Sequence, residues 1–317
     1  MTKPLITPIA KAMAKKLGID ISLITKGSGP NNRITKEDVL AFSQNPVSNQ
    51  VSESTQQTSS QATEVSSCPN QSSCSQATVS SSAFEAKRVK IAPIRKAIAK
   101  AMINSRDNVA YFSLVNEIDV TRLWNLRKEI LEDVQKSAGV KLTFLPFIAK
   151  AILLALKEFP IMAAKYDEAA NELVYPSTIN LGIAVDTEAG LMVPVVKDAH
   201  TLSMTSLALE INRLALAARN KTIKPAEMQQ GSFTITNYGS VGALFGTPVI
   251  NYPELAIAGV GAIVDKAIVT KTGEIKPGKV MNITISADHR WIDGADAGRF
   301  IYRIKELLEK PEVLGVL

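Results

Sequence analysis

Histidine is scarce in this chain of 317 residues, which contains only His200 and His289. His289 lies in the segment ADHRWIDGADAGRF, between an alternating apolar–polar run and an amphipathic run. A histidine at such a strand-to-helix turn can be held firmly and still face a cleft, as a general base requires. His200 has no comparable neighbours, and we expect it in a surface loop.

The same segment also has an interpretation without catalysis. Asp293 could cap the final helix, Gly294 could provide the turn, and His289 could be an ordinary loop histidine. Placement alone favours this second interpretation, so the role of His289 depends on further features of the sequence.

The two cysteines, Cys68 and Cys74, indicate no chemistry. Both lie in the segment 43–85, which has no Lys, Arg or Gly and is dominated by Ser, Gln, Thr and Asn. Two thiols without histidine neighbours make a poor metal site, and we predict neither a metal site nor a disulfide framework. Because this segment has few large apolar groups to offset its ordering entropy, we predict that it is a disordered linker.

The linker divides the chain into a small domain, residues 1–42, and a large domain, residues 86–317. The small domain has seven Lys or Arg against three acidic residues, although the whole chain carries a net charge of only +6. Such a basic surface favours an acidic partner, either protein or nucleic acid. No long apolar run and no targeting-type N-terminus occur, so we predict a soluble, cytoplasmic protein without membrane contact.

Periodicity indicates which elements position these residues. In the small domain we predict a helix that begins at Thr7-Pro8 and ends at Gly18, and a second helix headed by Thr35 with Asp38 as its capping partner. In the large domain we predict helices in RVKIAPIRKAIAKAMINS, KLTFLPFIAKAILLALKEFP and SMTSLALEINRLALAARN, and a final amphipathic helix. Strands are predicted in INLGIAVDTEAGLMVPVV, GSFTITNYG, ELAIAGVGAIV and VMNITIS. These elements indicate an α/β or α+β domain.

The segment DHRWIDG resembles the DHRxxDG motif of the dihydrolipoyl acyltransferases, the core subunits of 2-oxo acid dehydrogenase complexes. Its five fixed positions would match by chance on the order of once in ten thousand chains of this length. Residues 7–42 resemble the family's peripheral subunit-binding domain. The segments IRKAIAKAM, NLGIAVDTEAGLMVPVV, FTITNYGS and FGTPVINYPELAI resemble parts of its acyltransferase domain, in the family's order.

The resemblance implies a chloramphenicol acetyltransferase-like, two-layer α/β domain, active at the interfaces of a homotrimer, beside a small all-α binding domain. It implies that His289 removes the proton of the coenzyme A thiol and that Thr236 stabilises the oxyanion. Asp293 is expected to orient the loop, with Arg95 as a weaker candidate for its partner at the substrate site. For Thr236, an ordinary strand threonine remains the alternative.

In the small domain, Lys11, Lys15 and Arg33 fall where the family has the basic residues that hold its partners, the 2-oxo acid dehydrogenase and dihydrolipoyl dehydrogenase subunits. Lysine replaces arginine at the first two positions, which keeps the charge but loses the bidentate geometry. The alternative is a solvated basic helix face.

Nothing in the sequence resembles a lipoyl domain. We expect the lipoyl group on another chain, and the alternative is that part of the protein is missing from this sequence. Coenzyme A is expected as substrate, with no covalent cofactor here. The pyruvate dehydrogenase complex is the expected host, with the branched-chain and 2-oxoglutarate complexes as alternatives. Trimers are expected to assemble into a cubic or dodecahedral core, held together by Val313, Leu314, Val316 and Leu317. The alternative is that this apolar tail folds back onto its own helix.

Two other function classes are weighed against this one. A non-catalytic binding-protein relative typically lacks the motif histidine, and His289 is present. Nucleic-acid binding by the basic domain is disfavoured because the segment between its helices is long for a helix-turn-helix and has no aromatic residues for base stacking.

Overall fold

A computed structural model describes residues 6–17, 19, 24, 27–29, 33–44, 87–270 and 272–316. The chain forms two compact units, Met1–Ala83 and Phe84–Leu317, and each is described by itself. Nearly all of the predicted linker, including Cys68 and Cys74, lies outside the described residues.

The first unit contains the two predicted helices, α1 (Pro8–Leu17) and α2 (Lys36–Gln44). The hydroxyl of Thr7 accepts a hydrogen bond from the amide of Ala10, and the Asp38 carboxylate accepts from the amide of Thr35 at 2.7 Å. This second bond confirms the predicted capping partner of α2. The small core of this unit consists of Ala10, Ala14, Ile24, Ile34 and Val39.

The segment before α2 is held by the same carboxylate. Asp38 also accepts from the amide of Ser28 at 3.0 Å. Partial burial would raise the pKa of Asp38, but the Thr35 and Ser28 amides together hold that pKa below its usual range. A Cβ at Gly27 would lie 2.4 Å from the carbonyl of Arg33, so only glycine permits this close approach. Asp38 thus fixes the backbone that leads to Arg33.

The second unit is a mixed α/β domain. Its helices are α3 (Pro93–Asn108), α4 (Thr121–Ala138), α5 (Leu145–Glu158), α6 (Met204–Arg219) and α7 (Gly294–Glu309). Its strands are β1 (Tyr111–Asp119), β2 (Lys165–Asp167), β3 (Glu172–Val174), β4 (Leu181–Ile183), β5 (Val195–Val196), β6 (Phe233–Asn237), β7 (Ala256–Val260), β8 (Val264–Val269) and β9 (Ile275–Asp288).

Seven strands form one sheet in the order β1-β9-β7-β6-β4-β5, with β8 paired to β9 beside this path. Strand β6 pairs parallel with both β4 and β7. Strands β1, β7 and β8 pair antiparallel with β9, and β5 pairs antiparallel with β4. The register places Thr236 beside Gly259, and Gly259 beside Thr284. Cross-strand neighbours share a face, so Thr236 and Thr284 lie on the same side of the sheet.

Helices α5 and α7 share one core with the sheet. The predicted stripe of α7 is confirmed, since each of these residues is at most 1% exposed: Ala297, Phe300, Ile301, Ile304 and Leu308. Helix α5 is almost wholly buried from Pro146 to Leu156, which explains its nearly unbroken apolar sequence.

Strand β1 and helix α4 were not among the predicted elements. The burial of β1 does not alternate cleanly along the strand, and Leu123 is the one residue of α4 that is fully buried. The missing alternation explains why β1 was not predicted. Helix α4 is amphipathic, because Ile130, Leu131 and Val134 pack against the core together with Leu123, so its periodicity was available in the sequence and was missed.

The end of the chain corrects one prediction. Residues Pro311–Gly315 form a short 3-10 turn, in which Leu314 is 1% exposed and belongs to the core of its own domain. Leu314 therefore cannot also serve as the predicted contact between trimers. Val316 is 86% exposed, Val313 is partly exposed, and Leu317 lies outside the described residues.

Candidate active site

His289 directly follows the last residue of β9. Its amide donates to the carbonyl of Ala110 at 2.8 Å, which extends the β1–β9 pairing by one residue. The imidazole is exposed and contacts the ring of Phe112, with 4.6 Å between the ring centroids. The structure thus combines a fixed backbone with an open ring, the arrangement predicted for this turn.

The preceding residue, Asp288, anchors the turn. Its carboxylate is fully buried and accepts hydrogen bonds from the amides of Ala110 and Arg290 at 3.2 and 3.1 Å. The Arg290 guanidinium adds two contacts, from Nε at 3.0 Å and from Nη2 at 2.7 Å. These bonds compensate the negative charge of Asp288, which would otherwise be costly to bury. The hydrogen bonds to Asp288 also raise the pKa of Arg290.

Asp293 occupies the N-cap position of α7. The amides of Asp296 and Ala297 donate to its main-chain carbonyl, but its side chain makes no capping hydrogen bond. The interpretation of Asp293 as a helix-capping side chain is therefore wrong. The carboxylate is exposed, four residues after His289 and at the same end of the sheet.

Thr236 lies near the end of β6 and is half-buried. It lines a cavity of about 410 Å³, together with Thr234 from the same strand and Asn251 from the segment before β7. Most other lining side chains are apolar, including those of Leu191, Val193, Val249 and Ile257. A hydroxyl in an apolar cavity can donate to an oxygen that gains negative charge.

Glu254 lies behind this cavity and is 2% exposed. Its Oε2 accepts from the Thr234 hydroxyl at 2.7 Å, and its Oε1 accepts from the Asn251 side-chain amide at 3.0 Å. Burial raises the pKa of Glu254 to about 7, although these two hydrogen bonds and the charge of Lys165 act to lower it.

The structure does not bring Thr236 and His289 together within one chain. The row Thr236–Gly259–Thr284 crosses two strand spacings, and His289 lies five residues beyond Thr284 along β9. At ordinary strand dimensions the two residues are roughly 15–20 Å apart. The Tyr238 ring also lies over Gly259, where a Cβ would be 2.6 Å from the ring, and its hydroxyl meets that of Thr284 at 2.9 Å.

The other predicted residues lie elsewhere in the fold. Arg95 is exposed in the first turns of α3, and a Cβ built on Gly190 would lie 3.1 Å from its guanidinium. Its pairing with Asp293 stays a prediction. Lys11 and Lys15 belong to α1, and Arg33 is exposed at the start of the segment that leads to α2.

His200 differs from its prediction. It is half-buried in the short 3-10 turn Ala199–Thr201, and its Nδ1 accepts a hydrogen bond from the amide of Ile179 at 3.2 Å. The ring therefore stabilises the backbone that precedes β4, whereas a surface loop residue was expected.

Sequence reasoning missed three residues that shape the site: Asp288, Arg290 and Glu254. The first two lie inside DHRWIDG, and two opposite charges flanking His289 could have indicated an ion pair around the turn. Glu254 follows Pro253 in NYPELAI, where an acidic residue next to a buried strand was the available signal.

The catalytic-domain model of the 2-oxoacid dehydrogenases acyltransferases matches residues 83–316, and the E3 binding domain model matches residues 4–40. The chain belongs to the 2-oxoacid dehydrogenase acyltransferase family. Among curated relatives, the dihydrolipoyllysine-residue acetyltransferase component of the pyruvate dehydrogenase complex of Bacillus subtilis is 42% identical over 307 residues. That alignment covers 97% of this chain and 67% of the relative.

Two solved structures show the same fold. One is the dihydrolipoamide acetyltransferase of Azotobacter vinelandii, studied for the role of a serine, a histidine and an asparagine in its catalytic mechanism. The other is the cubic core of the pyruvate dehydrogenase multienzyme complex. Each has a TM-score of 0.70 and 33% identity, and covers 73% of this chain and 94% of the solved chain. They confirm the fold class predicted for the large domain of this acyltransferase.

Among the helices that the structure describes, none is long and apolar enough to cross a membrane. Within the same described ranges, no group of three or more His, Cys, Asp or Glu side chains could hold a metal ion.

The role of Asp288 can be tested by stability. Asp288→Asn removes the buried charge that Arg290 pairs with, and we expect a loss of about 3 kcal/mol or more in the free energy of unfolding. Asp296→Asn is the matched control, because its ion pair with Arg299 is exposed and should contribute at most about 1 kcal/mol. Urea denaturation at one protein concentration measures both, and equal small losses would contradict the anchoring role.

Proposed function

We propose that this acyltransferase moves an acetyl group from dihydrolipoamide to coenzyme A and forms the structural core of a pyruvate dehydrogenase complex. The observation that carries the proposal is the 42% identity across 97% of the chain to an acetyltransferase component of that complex, together with His289 at the anchored turn. Branched-chain and 2-oxoglutarate complexes remain alternative hosts.

The proposed reaction needs one proton transfer and one oxyanion site. A neutral His289 imidazole accepts the proton of the coenzyme A thiol, whose ordinary pKa of about 8.5 leaves little thiolate at neutral pH. The thiolate attacks the thioester carbonyl and forms a tetrahedral oxyanion, to which Thr236 donates its hydroxyl. Collapse breaks the bond to the dihydrolipoamide sulfur, which takes the proton back from His289.

The residue roles are supported by the spacing of the corresponding residues in the Azotobacter enzyme. Its asparagine follows its histidine by four positions, as Asp293 follows His289. Its serine precedes the histidine by 52 positions, and Thr236 precedes His289 by 53. Threonine supplies the same hydroxyl donor as serine. Asp293 and Arg95 are proposed to orient the loop and the substrate.

Within one chain, Thr236 and His289 are too far apart to act on the same thioester. We therefore infer that each site forms between two copies, one supplying His289 and the next supplying Thr236. Exposed apolar side chains support this association, because Met102, Leu191 and Phe245 are 38–64% exposed around the Thr236 cavity. A closed ring of three copies, built further into a hollow core, fits this arrangement.

The domain division is part of the proposal. Residues 1–42 would bind the dehydrogenase partners, residues 43–85 would tether them, and residues 86–317 would carry the acyltransferase. The match to the E3 binding domain model and the exposed Arg33 support a docking role for residues 1–42. The acyl group would arrive on a lipoyl group, and the cytoplasmic location stays a prediction.

The reaction and its acyl group can be tested directly. We expect coenzyme A acylation with acetyl-dihydrolipoamide to exceed that with the isobutyryl and succinyl analogues, each supplied as a small molecule. His289→Ala should lower kcat by roughly 10²–10⁴-fold, the usual effect of losing a general base. The control is His200→Ala, which leaves the proposed base in place. Wild-type turnover in the His289 variant would refute its role, and preference for another acyl group would change the host complex.

Docking is tested by binding of a purified dihydrolipoyl dehydrogenase. Affinity should fall as salt is added, because ion pairs between exposed groups are screened. Arg33→Glu should weaken binding. The control is Glu37→Gln, at an exposed position of α2, which should not weaken it. Unchanged binding by Arg33→Glu would show that this residue is not a docking contact.

A further inference from the structure

A single buried carboxyl group joins two walls of the cavity that contains Thr236. Strand β6 contributes Thr234 and Thr236 to one wall, and the segment before β7 contributes Asn251 to another. Glu254 contacts both walls, through the Thr234 hydroxyl at 2.7 Å and the Asn251 amide at 3.0 Å. Glu254 is only 2% exposed, so these two hydrogen bonds are well shielded from water.

The backbone around Glu254, two residues before β7, adds a second connection. Its neighbour Leu255 accepts a hydrogen bond from the amide of Asp288 at 3.0 Å, and Glu254 forms a β-bridge with Lys165. The backbone around Glu254 is therefore fixed on both sides, and its side chain can hold Thr234 in a defined place. Thr236 is two residues further along the same strand and on the same face.

We propose that Glu254 is a positioning residue for the acyl transfer, which holds β6 against the Asn251 wall so that the Thr236 hydroxyl meets the oxyanion. This inference rests on the proposed function. A displacement of about 1 Å in a catalytic group can cost about 100-fold in rate, so the accuracy of this attachment matters.

The protonation state of Glu254 agrees with a positioning role. With a pKa of about 7, the carboxyl group is partly neutral at neutral pH, and a neutral carboxyl group resembles a glutamine amide in shape. The Thr234 hydroxyl can donate to a carboxylate or accept from an amide. Glu254→Gln can therefore keep a hydrogen bond to each wall. Glu254→Leu has no polar side-chain atom, so Thr234 and Asn251 both lose their hydrogen bond to residue 254.

The test is a double-mutant cycle between Glu254 and Thr236 in the full-length protein. We expect Glu254→Leu to lower kcat by about 10–100-fold when Thr236 is present, and by less than about twofold when Thr236→Val has already removed the hydroxyl. Glu254→Gln should stay within about threefold of the wild type, since it keeps the bonds. The exposed Glu172→Leu is the matched control.

A role in stability alone would lower kcat equally in both backgrounds, and that result would overturn the proposal, as would unchanged kcat in Glu254→Leu. If Glu254→Leu does not fold, Thr234→Val takes its place, because it removes the hydroxyl that connects Glu254 to β6. It should show the same dependence on Thr236, and equal losses in both backgrounds would again refute the role. An inactive wild-type protein would instead count against the proposed function.

Discussion

The register of β6, β7 and β9 is the constraint on which the account depends. It places Thr236, Gly259 and Thr284 in one row across the sheet and leaves His289 beyond the end of β9. A slip of one residue would turn each side chain to the opposite face and is prevented by the buried face of the sheet. The two groups that we propose for acyl transfer are thus held far apart in one chain, and on this proposal the chemistry requires association of copies.

Two buried carboxyl groups fix the ends of this arrangement. Asp288 binds the turn that carries His289, and Glu254 binds the strand that carries Thr236. They differ in electrostatics, because Asp288 is paired with Arg290 whereas Glu254 has only neutral hydrogen-bond donors. Burial raises the pKa of Glu254 to about 7, although its two hydrogen-bond donors and the charge of Lys165 act to lower it. Both groups lie just outside the cavity or cleft they support, as preorganised sites require.

Sequence patterns predicted the strongly periodic elements, such as α5, α7 and the alternating part of β9, and they located His289 at a strand-to-helix turn. They did not predict β1, whose burial does not alternate cleanly, or the burial of Leu314, which depends on packing against distant helices. Helix α4 was also missed, although its apolar residues have helical spacing. Strand pairing is also decided by tertiary contacts, so the separation of Thr236 from His289 and the hydrogen bonds of Glu254 could be seen only in the structure.

The most direct test of the central claim is subunit complementation. Chains with His289→Ala and chains with Thr236→Val, each almost inactive alone, are co-expressed in equal amounts and the mixed oligomers are assayed for coenzyme A acylation. If each site takes His289 from one copy and Thr236 from the next, about one quarter of the interfaces in a random ring have both native residues. Activity should therefore return to about one quarter of the wild-type value. Activity that stays at the mean of the two separate variants would show that both residues act within one chain and would contradict the account.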